Sequence, residues 1–551
     1  MVKDVFTFII GGKAGEGVKK TGAVAAQMCI DMKRHVFQMD DYMSLIRGGH
    51  NFSVVSTATR WISNHYMRAE LIVNLDERSY NNHKEELAEG GILIFNSDVH
   101  EASEGIGVPI TSEAKGYKNA ELMHGLAGIA VLASALGMSQ SDLNDIIKQE
   151  YPGDNKDNIE YAGKIYDRVN SQIGGKFQLD SGDKARPILT GNEAISMGAI
   201  AGGLDIYYGY PMTPASTILH FLADHADEFG LAVIHPESEL AVINMAIGST
   251  VTGARAMVGS SGGGVALMSE AFSLAGMSEA PILTVWSVRS GPSTGVPTYT
   301  EQADLNYALH IGHGEYPRIV ASPSSMVEAF TLTAEMLDLV WKFQTPGILL
   351  TEKHLSESRM TVDLDLEAAK WAEPKMHTEG EYKRYLDTDD GISPLLFPPS
   401  EELIKWNSYE HDEMGITTEV AEKITKMHDK RYKKQASLET YLKDLTTVNV
   451  FGDAGPKIMT YGSTTMSLLE ALEYGGMEAT VVQPVYLSPL PVWILDDYQD
   501  DTIITVEQSL AAQFTTLLKD KVGIKPKATI KKYDGRPFDP IELASKLKEV
   551  M

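Results

Sequence analysis

Cysteine is nearly absent: Cys29 is the only one in 551 residues. No disulfide can form within the chain, and no cysteine-ligated zinc or iron–sulfur cluster can be built from it. An electron-transfer centre would have to come from another subunit. Positive charge is also scarce, with 48 Lys and Arg against 75 Asp and Glu, a formal net charge of −27. Nucleic acid and anionic membranes select basic surfaces, so neither is expected as a main partner. No apolar run approaches the roughly 18 residues that a membrane-spanning helix needs. The N-terminal "MVKDVFTFIIGG" has a short apolar run that ends in a glycine pair, as a strand entering a turn does. It does not have the form of a signal peptide, and a cytoplasmic location is expected.

What is present is a globular balance, 43% hydrophobic and 22% charged. The length suits about three or four domains of roughly 150 residues. Residues 1–178 read as α/β: "VFTFIIGG", "AELIVNL" and "GGILIFNSD" are strands, and "GVKKTGAVAAQMCIDM" is a helix. "GGKFQLDSGDKAR" at 174–186 reads as a linker. Residues 187–375 alternate strand and helix with short connections, which predicts a parallel sheet covered on both faces. "GNEAISMGAIAGG" there is a helix of small residues suited to close packing. Residues 376–445 are polar and read as an extended connecting segment ending in a helix. Its basic stretch, "KITKMHDKRYKK" at 423–434, is expected to be a solvated helix face or, failing that, a docking patch. Residues 446–551 return to α/β. No short solenoid-type repeat is present.

The 187–375 region sets its unusual residues at the ends of four successive strands. These are Tyr210 and Thr213; Glu237 and Glu239; Ser260, Ser261 and Gly262 to Gly264; and Arg289, Ser293, Thr294 and Thr298. Open α/β sheets bind ligands beyond the carboxyl ends of their strands. Each group has a plainer reading. Thr213 suits a helix N-cap, Glu239 a helix first turn, "SSGGG" a tight turn, and Arg289 the surface. Together they describe a pocket with hydroxyls, one carboxylate, a glycine floor and one guanidinium. An arginine with two threonine hydroxyls suits a small planar carboxylate. A lone glutamate serves as an anion or, when desolvated, a proton relay.

"GYPMTPAS", "PESELAVINMAIGSTVTGARAM", "SSGGGVALMSE" and "RSGPSTGVPT" resemble the alpha subunit of 2-oxoacid:ferredoxin oxidoreductases. "GGKAGEG" and "LIRGGHN" resemble that family's gamma domain, fused ahead of alpha. "DGISPLLFP", "EHDEMG", "QPVYLSPLP" and "DGRPFDP" look like its fused, 2-oxoglutarate-type chains. The resemblance implies an N-terminal gamma-type domain, a thiamine-diphosphate-fold pyrimidine-side domain and a C-terminal transketolase-C-like domain. It implies a separate beta subunit that carries Mg2+ and a [4Fe–4S] cluster and shares thiamine diphosphate with this chain. A dimer of alpha–beta heterodimers, with ferredoxin as acceptor and coenzyme A as cosubstrate, follows. Succinyl-CoA would be the product from 2-oxoglutarate; pyruvate or several 2-oxoacids are the alternative substrates. A non-catalytic regulatory or binding protein is the alternative of another class, and intact Glu239, Thr213 and Arg289 speak against it.

By resemblance, Glu239 hydrogen-bonds the aminopyrimidine ring and favours its imino form. Thr213, Arg289 and Thr298 hold the 2-oxoacid's carboxylate and carbonyl oxygen. Tyr210, Pro211, Ser261, Gly262 and Gly263 border the cofactor, and Arg47 meets coenzyme A or a distal carboxylate. Three positions depart from the family: Ala215 where serine is common, "KAGEG" where Gly-Gly-Gln-Gly is usual, and Gln508 where asparagine is frequent. Two patterns are expected to be incidental. "HIGHGE" sets His310, His313 and Glu315 at metal-like spacing, and Gly11, Gly12, Gly15 and Gly17 imitate a dinucleotide fingerprint without its spacing.

Overall fold

The computed structural model describes residues 4–43, 48–369, 371 and 373–551. It holds three sheets. The α/β class expected from the sequence is the one observed. Parallel pairing dominates the second and third sheets, and the first is mixed.

The first sheet has eight strands. Phe6–Ala14 pairs in parallel with Ala69–Asn74 and antiparallel with Gly48–Ala58. The latter pairs antiparallel with His35–Asp41. A direct return between neighbours gives antiparallel pairing, whereas parallel pairing needs a crossover. The sheet then continues beyond the first 178 residues. Arg359–Thr361 pairs with His35–Asp41, and Ile188–Thr190 pairs with Arg359–Thr361. These short strands cover what would otherwise be an exposed edge. The glycine turn of this region is occupied by its own carboxylate. Glu16 is buried, accepts from Lys13 N at 2.7 Å and faces His124 Nδ1 at 3.2 Å. Gly12 is needed there, since a Cβ would stand 2.6 Å from Glu16 Oε2.

The second sheet has seven strands and carries the odd residues. Its strand Leu283–Val288 is buried throughout, as parallel strands covered on both faces are. The helix Gly191–Ala201 is opened by Thr190, whose hydroxyl accepts from Glu193 N while Glu193 accepts from Thr190 N. Its small residues let it lie close against Met326–Phe343. A Cβ on Gly202 would approach Ala334 Cα to 2.9 Å, and one on Gly198 would run into the Phe330 backbone.

The third sheet runs Val448–Phe451, Thr480–Pro484, Lys457–Met459, Ile503–Glu507, Ala528–Lys531. Its companion strand Tyr486–Ser488 leaves it and pairs with Ile319–Ala321 of the second sheet. No described helix is long and apolar enough to cross a membrane.

The basic stretch at 423–434 is only in part the solvated face that was expected: Lys423, Lys426 and Lys433 are exposed, but Lys430, Arg431 and Lys434 are buried. It lies in the helix Ala421–Leu442, whose buried residues are Met427, Lys430, Arg431, Lys434, Leu438 and Leu442. They recur at helical spacing, so three cations share the inward stripe with three apolar side chains. Buried Glu279 receives two of them: Lys430 Nζ lies 2.8 Å from each of its carboxylate oxygens, and Lys434 Nζ lies 2.6 Å from Oε2. Arg384 donates to the Glu279 backbone oxygen at 2.9 Å. Arg431 pairs with Glu410 at 2.6 Å. Buried charges persist only when paired and hydrogen-bonded, and these are. The cluster fastens the connecting segment to the end of the helix Gly262–Ser278.

Candidate functional site

The second sheet orders its strands so that Ala232–Ile234, Ile206–Gly209, Ala256–Ser260 and Leu283–Val288 are consecutive neighbours, all parallel. Their carboxyl ends therefore share one edge. Gly209 stands opposite Gly259, and Ser260 opposite Trp286.

Glu239 opens the helix Glu239–Thr250, which Ser238 caps by accepting from Ala241 N at 3.4 Å. The side chain is 3% exposed, yet its Oε1 has no hydrogen-bond partner. A buried carboxylate oxygen left unpartnered costs about 1–3 kcal/mol or more. It is therefore placed to receive a donor from a ligand. Gly264 makes this position possible, because a Cβ there would lie 2.7 Å from Glu239 Oε1.

The hydroxyls of Ser260 and Ser261 are buried and unpartnered beside it. Ser261 is the N-cap residue of Gly262–Ser278 but makes no side-chain cap. The glycines after it differ. A Cβ on Gly263 would meet nothing within 4 Å, so that residue faces open space. A Cβ on Gly262 would collide with the carboxylate of Asp304. Asp304 also accepts from Trp286 Nε1 at 3.2 Å, and burial raises its pKa.

Thr213 is half-buried and follows Pro211 in an exposed loop. It does not cap the next helix: Ser216–Asp224 begins after Ala215, which has no capping side chain. Instead the Thr213 carbonyl oxygen accepts from Arg289 Nη1 at 2.9 Å. Among the described residues Arg289 has no carboxylate partner, and burial lowers its pKa. An arginine partly removed from water without a counter-charge suits an anionic ligand. Thr298 is 4% exposed, and its hydroxyl is unpartnered.

The remaining strand-end residues are peripheral. Tyr210 and Pro211 are exposed at the rim, the Tyr210 ring 5.8 Å from that of His235. Glu237, Ser293 and Thr294 are exposed. Arg47 lies outside the described residues. His310 and His313 are engaged separately, with Asn306 O at 2.8 Å and Ser273 Oγ at 3.0 Å. Among the described residues no group of three or more His, Cys, Asp or Glu could hold a metal ion. Gly264 was singled out from sequence only as part of a glycine floor, not as the residue that makes room for Glu239. Asp304 was not singled out, since a lone aspartate before a helix is commonplace.

An edge of four parallel strand ends, with a buried open carboxylate, a glycine-started helix and an arginine without a carboxylate partner among the described residues, is built to receive a polar ligand. Residues 197–430 match a family described as pyruvate flavodoxin/ferredoxin oxidoreductase, thiamine diP-bdg. Residues 7–168 match pyruvate ferredoxin/flavodoxin oxidoreductase. The chain is 30% identical to the 2-oxoacid:ferredoxin oxidoreductase subunit alpha of a Sulfolobus species, over 99% of this chain and 97% of that one. It is 38% identical to the 2-oxoglutarate synthase subunit KorA of Archaeoglobus fulgidus, over 32% of this chain and 51% of the relative. A solved structure, 2-oxoglutarate:ferredoxin oxidoreductase from Magnetococcus marinus with 2-oxoglutarate, coenzyme A and succinyl-CoA bound, superimposes with a TM-score of 0.90. It has 26% identity and covers 99% of both chains. The chain belongs to the alpha subunits of the 2-oxoacid:ferredoxin oxidoreductases, and is thus an oxidoreductase subunit.

Proposed function

We propose that this chain acts in the CoA-dependent oxidative decarboxylation of 2-oxoglutarate to succinyl-CoA and CO2, with reduction of ferredoxin, a reaction reversible in principle. The observation that carries the reading is the end-to-end likeness to the Magnetococcus marinus enzyme. A second reading, pyruvate or several 2-oxoacids as substrate, draws on the two family models, both described by pyruvate.

The residues present fit thiamine diphosphate. The open Oε1 of Glu239 suits a donor of the aminopyrimidine ring, with Ser261, Gly262 and Gly263 at the adjoining strand end and Tyr210 and Pro211 at the exposed rim. When bound, thiamine diphosphate supplies the nucleophilic carbon and the electron sink that decarboxylation requires. This chain orients and protects. Glu239 accepts a ring proton donor at its open Oε1, within a buried wall. Arg289 carries the carboxylate common to all 2-oxoacids with Thr298 beside it, and the Thr213 hydroxyl meets the 2-oxo oxygen. Fixing these groups before reaction removes much of the orientation cost.

The site is completed by a partner in this reading. Cys29 is buried in the first domain, and a single cysteine cannot hold a cluster. The [4Fe–4S] cluster is therefore assigned to a beta subunit, and Mg2+ is assigned there by resemblance to the family, in a dimer of alpha–beta heterodimers. Leu240 and Met245 on the Glu239 helix and Leu267 on the next are exposed, an apolar rim for that subunit to cover. The test is co-expression with the candidate beta subunit. The complex is expected to hold thiamine diphosphate and iron, to reduce ferredoxin, and to prefer 2-oxoglutarate over pyruvate in kcat/KM. A preference for pyruvate overturns the substrate assignment. Stoichiometric iron on the isolated chain overturns the division of labour.

A further inference from the structure

Thr298, Thr300 and Gln302 are buried, and Tyr299, Glu301 and Ala303 between or beside them are partly exposed. The segment is thus an extended strap with alternate side chains turned inward. Two of the three inward side chains are anchored. Thr300 N donates to Gly535 O at 3.0 Å, and Thr300 Oγ1 accepts from His354 N at 3.2 Å. Gln302 uses every position of its amide. Its Nε2 donates to Glu352 Oε1 at 2.6 Å and Tyr461 O at 3.0 Å. Its Oε1 accepts from Gln508 N and Thr464 Oγ1, both at 2.9 Å. Its backbone N donates to Gln508 O at 2.7 Å. The third inward side chain, Thr298, is left with an unpartnered hydroxyl.

The place that Gln302 enters is informative. The third sheet reverses its winding between Lys457–Met459 and Ile503–Glu507. The crevice beyond such a pair of strand ends is where open α/β sheets receive ligands. Here the chain fills it with Gln302 and with Glu352, which also accepts from Ser463 N at 3.1 Å. Gly462, at φ 59°, admits them, since a Cβ would lie 2.9 Å from Gln302 Nε2. Glu352 in turn stands in register with Val288, the residue before Arg289. One polar node therefore grips both the strap bearing Thr298 and the strand beside Arg289.

We propose that Gln302 is a positioning residue: clamped by Glu352, Thr464 and Gln508, it fixes the strap so that the Thr298 hydroxyl stands at the substrate's oxygen. This rests on the reading that Thr298 and Arg289 meet the 2-oxoacid. The C-terminal region thereby acts on substrate binding without touching substrate.

The experiment is a double-mutant cycle in the complex with the beta subunit, assayed with 2-oxoglutarate and pyruvate. Gln302→Leu removes the clamp, and Thr464→Val removes one bond of it. Gln302→Leu is expected to lower kcat/KM by up to about 100-fold, the scale of a small misplacement, mainly through KM. Thiamine diphosphate binding is expected to hold, and amides of 298–302 to exchange faster with deuterium. In a Thr298→Val background the Gln302→Leu loss is expected to shrink to about twofold, because the two act through one contact. If Gln302→Leu does not assemble, Thr464→Val in both backgrounds makes the same comparison with a smaller effect. Wild-type KM in the clamp variants, or full additivity with Thr298→Val, overturns the positioning role and leaves the substrate reading standing. A silent Thr298→Val overturns that reading, and the inference with it.

Discussion

Arg289 Nη1 donates to the carbonyl oxygen of Thr213 at 2.9 Å, across 76 residues of sequence. The bond joins the loop after the first strand of the site to the end of the fourth. The arginine thus sets the Thr213 backbone, and among the described residues no carboxylate takes its remaining donors. Arg289→Met is expected to lower kcat/KM at least about 100-fold for every 2-oxoacid, since two charged hydrogen bonds are worth roughly 1.5–3 kcal/mol each. Steady-state rates with 2-oxoglutarate and pyruvate check this. A loss confined to 2-oxoglutarate would mean that Arg289 reads the distal carboxylate.

Glu239→Gln is expected to lower turnover by about 10²–10⁴, the range for a group that holds or moves a proton. The amide keeps the shape of the buried carboxyl, so the complex should assemble and retain its iron. Dye-reduction rates at saturating thiamine diphosphate measure the effect, and near-normal turnover removes Glu239 from the chemistry.

Gly264→Ala adds a methyl 2.7 Å from Glu239 Oε1 and closer still to Ser260 Oγ. The Gly264 backbone has no positive φ, so the expected defect is displacement of the carboxyl rather than strain. Turnover should fall toward that of Glu239→Gln, with a far-UV spectrum like the parent's. Full activity would show that Glu239 need not sit where it does.

Burial pushes the Lys434 pKa down to about 7, against the pull of Glu279 and with the repulsion of Lys430 and Arg384. Glu279 stays ionised: burial alone would raise its pKa, but Lys430, Lys434 and Arg384 together lower it. Unfolded, Lys434 returns to about 10.5. Between these values the unfolded chain binds more protons, so this group's contribution to stability rises with pH from about 7 toward 10. Urea midpoints at pH 7, 8 and 9 should therefore climb more steeply in the parent than in Lys434→Met. Parallel trends would place the charge of Lys434 outside the folding equilibrium.

Much of the site was legible in sequence because its signals are local. Pro211, Thr213, Glu239, the glycines after Ser261, and Arg289 each follow an apolar run, and alternation of strand and helix places such residues on one sheet edge. The approximate bounds of Ala256–Ser260, Leu283–Val288 and Gly262–Ser278 follow from the same periodicity.

Apolar patterning by itself determined the α/β class and the run of strands and helices, and composition gave a single cysteine, too few to hold a cluster. Periodicity reports which face of an element turns inward, but not what that face meets. The inward lysines of Ala421–Leu442 are stable only because Glu279, 151 residues before Lys430, closes on them. Ile188–Thr190 and Arg359–Thr361 joined the first sheet because its edge strand lay open to them, a matter of which edges come together in space. Gln302 finds Glu352, Thr464 and Gln508 at separations of 50, 162 and 206 residues. Such contacts depend on three sheets docking at once, and the tertiary structure alone decided them.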